Sequence, residues 1–248
     1  MRQLSVSVRI YLGLILVLAI LAAISIFLPA YQTLVPQQEL PASRPVLAVV
    51  NAAIMLLVYG GLGYLGYILS QKLGFADIWD AKVSNRQRFV FPALVGAAAG
   101  VFFIAADAVF SRFHSLGPLT HPQFPLSLIA SATAGIGEEV IFRLFFISFW
   151  LWLISRVILK GKGQETVFWI VAVFSALAFG LGHLPSAMLL YEFSSLSEVP
   201  LALLSEMILL NGVLSLLAAY YFRKWGFLAP VGIHFWTDVV WHVVWGAL

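Results

Sequence analysis

Nine ionisable side chains interrupt the apolar runs of this sequence: Asp107, Glu138, Glu139, Arg143, His183, Glu206, His234, Asp238 and His242. Each costs at least ~2.5–3.5 kcal/mol at the centre of a membrane helix, and such groups normally face a bundle interior or a wet cavity. The densest group is Gly137-Glu138-Glu139-Val140-Ile141-Phe142-Arg143. On a helix Glu139 and Arg143 share a face and can pair, while Glu138 is turned about 100° away and stays available. Two further spacings follow it in the chain. Phe179-x-x-x-His183 puts an aromatic ring and an imidazole on one face near a helix end closed by Pro185, and His234-x-x-x-Asp238 puts imidazole and carboxyl one turn apart.

These residue types support two hydrolytic chemistries. A His one turn from a carboxylate, joined by a second His and a Glu from other helices, makes a four-ligand metal shell. The same groups without metal make a water-activating site, with Glu138 as general base, His183 as its partner and His234 as donor to an oxyanion. A single intramembrane His is ordinarily a packed, hydrogen-bonded one. Three separate helices each supplying an acid or imidazole shift the balance to a shared site. Glu139 with Arg143 reads equally as a structural ion pair and as the support that holds Glu138. Asp107 and Glu206 lack companions at fixed spacing and stay outside the set, and His242 falls two turns beyond His234 as an outer neighbour. Trp236, Trp241 and Trp245 read as an aromatic belt at the membrane surface.

The elements that must position these groups are membrane helices. The chain is 62% hydrophobic and 10% charged with a mean hydropathy of +0.98, against ~25% charged residues in soluble domains. Its 248 residues accommodate about seven spans of ~20 residues and no separate soluble domain. Apolar runs predict spans near 8–29, 46–70, 89–110, 126–155, 166–186, 201–222 and 226–247, an all-α bundle forming one transmembrane domain over 1–248 with a motif-bearing core over 126–242. The first run is too long for a signal-peptide core and is read as an uncleaved span. With the amino terminus in the cytoplasm, 11 of the 14 Lys and Arg residues fall inside, which selects that orientation and an external carboxyl terminus. The basic balance therefore concerns lipid headgroups, and no nucleic-acid partner is expected. The absence of cysteine excludes disulfides, a thiol nucleophile and thiolate metal ligands. Gly60-Gly61-Leu62-Gly63-x-x-Gly66 and Gly96-x-x-x-Gly100 read as close-packing faces. Gly135 and Gly137 predict a break or bent entry before the acids, and residues 73–88 predict an amphipathic piece at the cytoplasmic interface.

Glu138-Glu139-x-x-x-Arg143, Phe179-x-x-x-His183 and His234-x-x-x-Asp238, in that order on successive helices, resemble the three motifs of the CAAX-protease and bacteriocin-processing (CPBP or Abi) intramembrane proteases, relatives of the type II CAAX prenyl endopeptidases. The resemblance implies hydrolysis of a peptide bond in a membrane-associated or prenylated, CAAX-type protein or peptide. By position, Glu138 would activate water with help from His183, Glu139 and Arg143 would support that site, and His234 with Asp238 would stabilise the oxyanion. Asp238 stands where the family has Asn or Asp, and an ionised Asp cannot donate, which leaves it protonated, orienting His234 by accepting from its ring, or ligating a metal, with orientation the favoured role. No cofactor is assigned, with zinc as the alternative. The setting implied is the bilayer of a prokaryotic plasma membrane, and oligomeric state is open. Two other classes remain: a proton-coupled transporter, whose expected repeat between chain halves is missing, and a non-catalytic peptide-binding or immunity protein that keeps the motifs.

Overall fold

The computed structural model describes residues 4–29 and 42–248. Arg2 and most of the linker at 36–45 lie outside them. The described residues are helical throughout, joined by turns, with no strand among them. Six helices are long and apolar enough to cross a membrane: α1 (Val6–Ser25), α2 (Arg44–Lys72), α3 (Arg86–Phe110), α4 (Leu126–Ile158), α5 (Gln164–Leu190) and α6 (Leu201–Trp225). A shorter α7 runs Leu228–Asp238 and continues through wide i→i+5 turns over Val239–Val244. The chain is an all-α integral membrane protein, and its helices fall within a few residues of the expected spans. Large apolar side chains such as Leu57 and Val49, 75% and 69% exposed, cover the outside and suit lipid contact.

Without a hydrophobic force between helices in lipid, close backbone approach must do the packing. The glycines supply it. A Cβ on Gly66 would collide with the backbone of Leu144, and one on Gly63 with Tyr11 and Val140, so α2 lies directly on α4. A Cβ on Gly96 would collide with the Ile233 carbonyl, and one on Gly100 with Thr237 and Val240, so α3 lies directly on α7. Thr237 Oγ1 also donates to Gly96 O at 3.1 Å. Two of the three motif-bearing helices, α4 and α7, are thus backed by the two glycine-faced helices of the first half.

Two expectations are corrected. No break occurs at Gly135 or Gly137, because the helix runs unbroken from Leu126 to Glu139 and passes into wide turns only at Val140–Ile147. Those glycines serve approach instead: a Cβ on Gly135 would lie 3.2 Å from Phe235 N, and one on Gly137 3.3 Å from Leu18. The amphipathic piece expected over residues 73–88 turns most of its apolar side into the bundle rather than toward headgroups. Gly74, at φ +78°, ends α2, and the turns that follow bury Ile78 and Val83 in the bundle. Phe75 packs edge-on against Phe168 and Phe222, and Arg88 stacks 3.9 Å over Trp79 while donating to the carbonyls of Asp80 and Val83. Phe75, Ile78 and Val83 thus pack against protein, while Trp79 stays 39% exposed.

Gly66→Ala is expected to cost about 1–3 kcal/mol through overpacking, read as a lower unfolding temperature in detergent. Gly61→Ala meets nothing within 4 Å and is expected to leave stability unchanged or raise it, since Ala gains about 0.8–1 kcal/mol over Gly in a helix.

Candidate active site

The site begins with the rotation between two neighbouring acids on α4. Glu139 points inward and is fully buried, whereas the Glu138 side chain is 34% exposed to a cavity. Glu139 Oε2 lies 3.0 Å from Arg143 Nε one turn on, a charge contact that lacks hydrogen-bond alignment. The guanidinium rests 4.6 Å over the ring of Phe179, a cation–π contact of the kind that strengthens on desolvation. Phe179 in turn meets His183 and His234 edge-on at 5.0 and 5.7 Å. One aromatic ring therefore packs against the cation and both imidazoles.

His234 Nδ1 lies 2.8 Å from Glu139 Oε1. A carboxylate has no proton to give, so Nδ1–H is the donor and Nε2 is turned toward the cavity. There it stands 3.7 Å from Glu138 Oε2 and 3.6 Å from Asp238 Oδ2. Both separations exceed a direct hydrogen bond and suit an oxygen placed between the groups. The orienting contact expected from Asp238 is thus made by Glu139, and Asp238 flanks the opposite nitrogen. The reason is rotational: Asp238 lies one turn along the same helix, on the cavity side, while Glu139 approaches the ring from α4.

His183 occupies the break in α5 between Gly182 and Leu184, with Pro185 in the first turn beyond. Its Nδ1 is 2.8 Å from Phe179 O. A carbonyl only accepts, so Nδ1 carries the proton and Nε2 is the free nitrogen of the neutral ring. Glu138, His183, His234, Asp238 and His242 line one cavity of about 330 Å3, whose remaining wall is mostly apolar and includes Phe103, Met207, Leu210 and Trp241. A second cavity of about 390 Å3 between α1, α2 and α4 shares Ala130, Ala134 and Glu138 with the first. Glu138 stands where the two meet.

All six motif side chains converge: Glu138, Glu139, Arg143, His234 and Asp238 in direct contact, His183 on the same cavity wall. Among the described residues no three His, Asp or Glu side chains are arranged to hold a metal ion. Trp241 is not part of a surface belt. It is 4% exposed and stacks on Phe103 and His121, because positions 234, 238 and 241 share one inward helical face. Trp236 and Trp245 are 42% and 38% exposed, as expected. Asp107 and Glu206 do pair: they adjoin each other, Glu206 Oε2 lies 3.5 Å from His114 Nε2, and Asp107 accepts from Leu119 N at 3.0 Å. Sequence reasoning missed His114 and His121 because both fall in a connecting stretch. Two histidines within eight residues of a linker were the available signal.

The family model described as type II CAAX prenyl endopeptidase, Rce1-like, matches residues 120–240. Over those residues the chain is similar to the Rce1-like family. No curated protein and no solved structure matches it. The matched region holds every motif residue and all of α4, α5 and α6, so the family likeness and the converging side chains concern the same part of the fold. The family is one of CAAX-type intramembrane proteases.

Removing Arg143 leaves the buried Glu139 with His234 alone to balance it. Arg143→Met is expected to cost about 3–5 kcal/mol in detergent unfolding. Adding Glu139→Gln, which still accepts from His234, should restore a large part of that loss. A double variant as unstable as the two single losses added together would refute the pairing.

Proposed function

We propose that this Rce1-like protein hydrolyses a peptide bond inside the membrane by direct activation of water. The observation that carries this reading is the triangle formed by Glu138 Oε2, His234 Nε2 and Asp238 Oδ2, with 3.7 and 3.6 Å sides at the imidazole, opening on a cavity that His183 also lines. Glu138 takes a proton from water as the water oxygen bonds to the scissile carbonyl carbon. The carbonyl oxygen becomes an oxyanion and accepts from His234 Nε2–H. When the tetrahedral adduct collapses, the C–N bond breaks and Glu138 passes its proton to the leaving amine. Preorganised donors at a developing oxyanion are worth about 2.7–4 kcal/mol each in comparable sites.

The supporting groups have separable tasks. Glu139 fixes the His234 ring through Nδ1, and Arg143 balances Glu139. Asp238, beside Nε2, favours a ring that carries both N–H groups. His183 assists Glu138 with its free Nε2. The site needs no metal in this reading; bound zinc is the alternative.

The substrate is a membrane-associated peptide or protein, of which a prenylated CAAX-type tail is one form. The cavity wall includes Leu119, Thr120 and Pro122, from the α3–α4 connection. With the amino terminus cytoplasmic, that end faces outward, which favours a membrane peptide over a cytosolic prenylated tail.

Cleavage of a reporter peptide by purified protein in nanodiscs tests the proposal. Glu138→Ala and His183→Ala are each expected to lower kcat by about 10²–10⁴ while the protein stays folded, and activity should survive chelation with no zinc found by elemental analysis. Undiminished cleavage in Glu138→Ala would overturn the mechanism, and loss on chelation would replace it with the metal-dependent form.

A further inference from the structure

The connection between α3 and α4, residues 111–125, forms part of the cavity wall through Leu119, Thr120 and Pro122. Three polar contacts fasten it to the bundle, and none takes part in the hydrolysis proposed above. His114 lies 3.5 Å from Glu206 on α6, with both side chains fully buried. The Leu119 amide donates to Asp107 on α3. His121 Nδ1 meets His242 Nδ1 on α7 at 3.0 Å, and the His121 ring also stacks edge-on against Trp241 at 4.6 Å.

The imidazole pair is the contact whose chemistry is restrictive. Two Nδ1 atoms at 3.0 Å form a hydrogen bond only when one carries a proton and the other a lone pair. If both rings become imidazolium, two N–H groups and two positive charges face each other and the contact is lost.

We propose that residues 111–125 are a proton-released lid over the cavity, latched at neutral pH by His121 against His242 and freed when the pair takes up protons. The groups facing the pair are Asp107 on α3, His183 on α5 and His234 on α7. Burial holds His121 below the ordinary imidazole range, with Asp107 opposing more weakly. The closed state therefore binds fewer protons than the open one. Its stability is complete above the free imidazole value of about 6.5 and declines as pH falls through it.

The absence of native cysteine gives a clean probe. Ser131 lines the cavity and is 1% exposed, so Ser131→Cys reports entry of a charged methanethiosulfonate reagent into the full chain in nanodiscs. Rates are normalised at each pH to an exposed reference, Ser197→Cys. One proton taken up on opening predicts about a tenfold rise in normalised rate from pH 7.5 to 5.5. In His121→Asn, which keeps a polar partner for His242 but does not titrate, most of that rise should vanish. Equal rates at the two pH values in the chain with both histidines would overturn the proposal, with no need for the Asn variant to fold. An undiminished rise in His121→Asn would overturn it as well. Because the readout is access, the outcome is independent of whether the protein cleaves peptides.

Discussion

Glu139 is held from two sides, and most of the site follows from that. One oxygen lies against Arg143 on its own helix and the other takes the His234 proton from α7. Three charged or hydrogen-bonding groups buried in an apolar bundle are tolerable only when each compensates another, since the penalty for an isolated buried charge runs to several kcal/mol. The pairing thereby locks α4 to α7 in one register. A shift of either helix by one residue would separate Glu139 from His234 and break the hydrogen bond that joins the two helices. Arg143 extends the lock to α5 through the face of Phe179, whose carbonyl also fixes the proton on His183. The group exposed to the cavity, Glu138, inherits its position from a neighbour that is not exposed at all.

Backbone geometry reinforces this arrangement. The regular α-helix ends at Glu139 in α4 and at Asp238 in α7, and in both the chain passes at once into wide i→i+5 turns. Such turns recur at functional sites because they alter the rotation between residues before and after them. Here they let the inward-facing acid and the packing residues beyond it meet different neighbours without breaking the hydrogen-bonded backbone that lipid demands. Gly135, one turn before Glu139, brings the Phe235 backbone close, which shortens the span that the Glu139–His234 contact must bridge.

The motif residues were legible in the sequence because lipid makes them conspicuous. A charge within an apolar run must have a partner, and helical spacing indicates which one, so Glu139 with Arg143 and the separation of Glu138 from Glu139 could be read directly. What the spacing could not resolve was which acid orients His234. The one-turn interval to Asp238 suggested that residue, whereas the contact comes from another helix, and contacts between helices have no sequence period. The same limit applied to Asp107 and Glu206, whose companion His114 sits outside any helix. Residues 73–88 misled for a related reason: alternating charged and apolar side chains mark an amphipathic surface whether the apolar side meets lipid or protein.

The first half of the chain carries no chemical motif yet sets the site. Helices α2 and α3 contribute glycine faces, and a missing side chain has no spacing rule beyond the small-residue repeat. Their effect is nonetheless specific. With α2 pressed on Leu144 and α3 on Ile233 and Thr237, α4 and α7 are clamped from behind and have little freedom to part along the line joining Glu139 to His234. The carboxylates and imidazoles of the motifs can then face a cavity, because the force that closes the bundle acts through backbone contact outside the site. In a bilayer, where apolar side chains gain nothing by leaving lipid for protein, that division leaves the ionisable residues free of the task of holding the bundle together, save for the one pair that fixes its register.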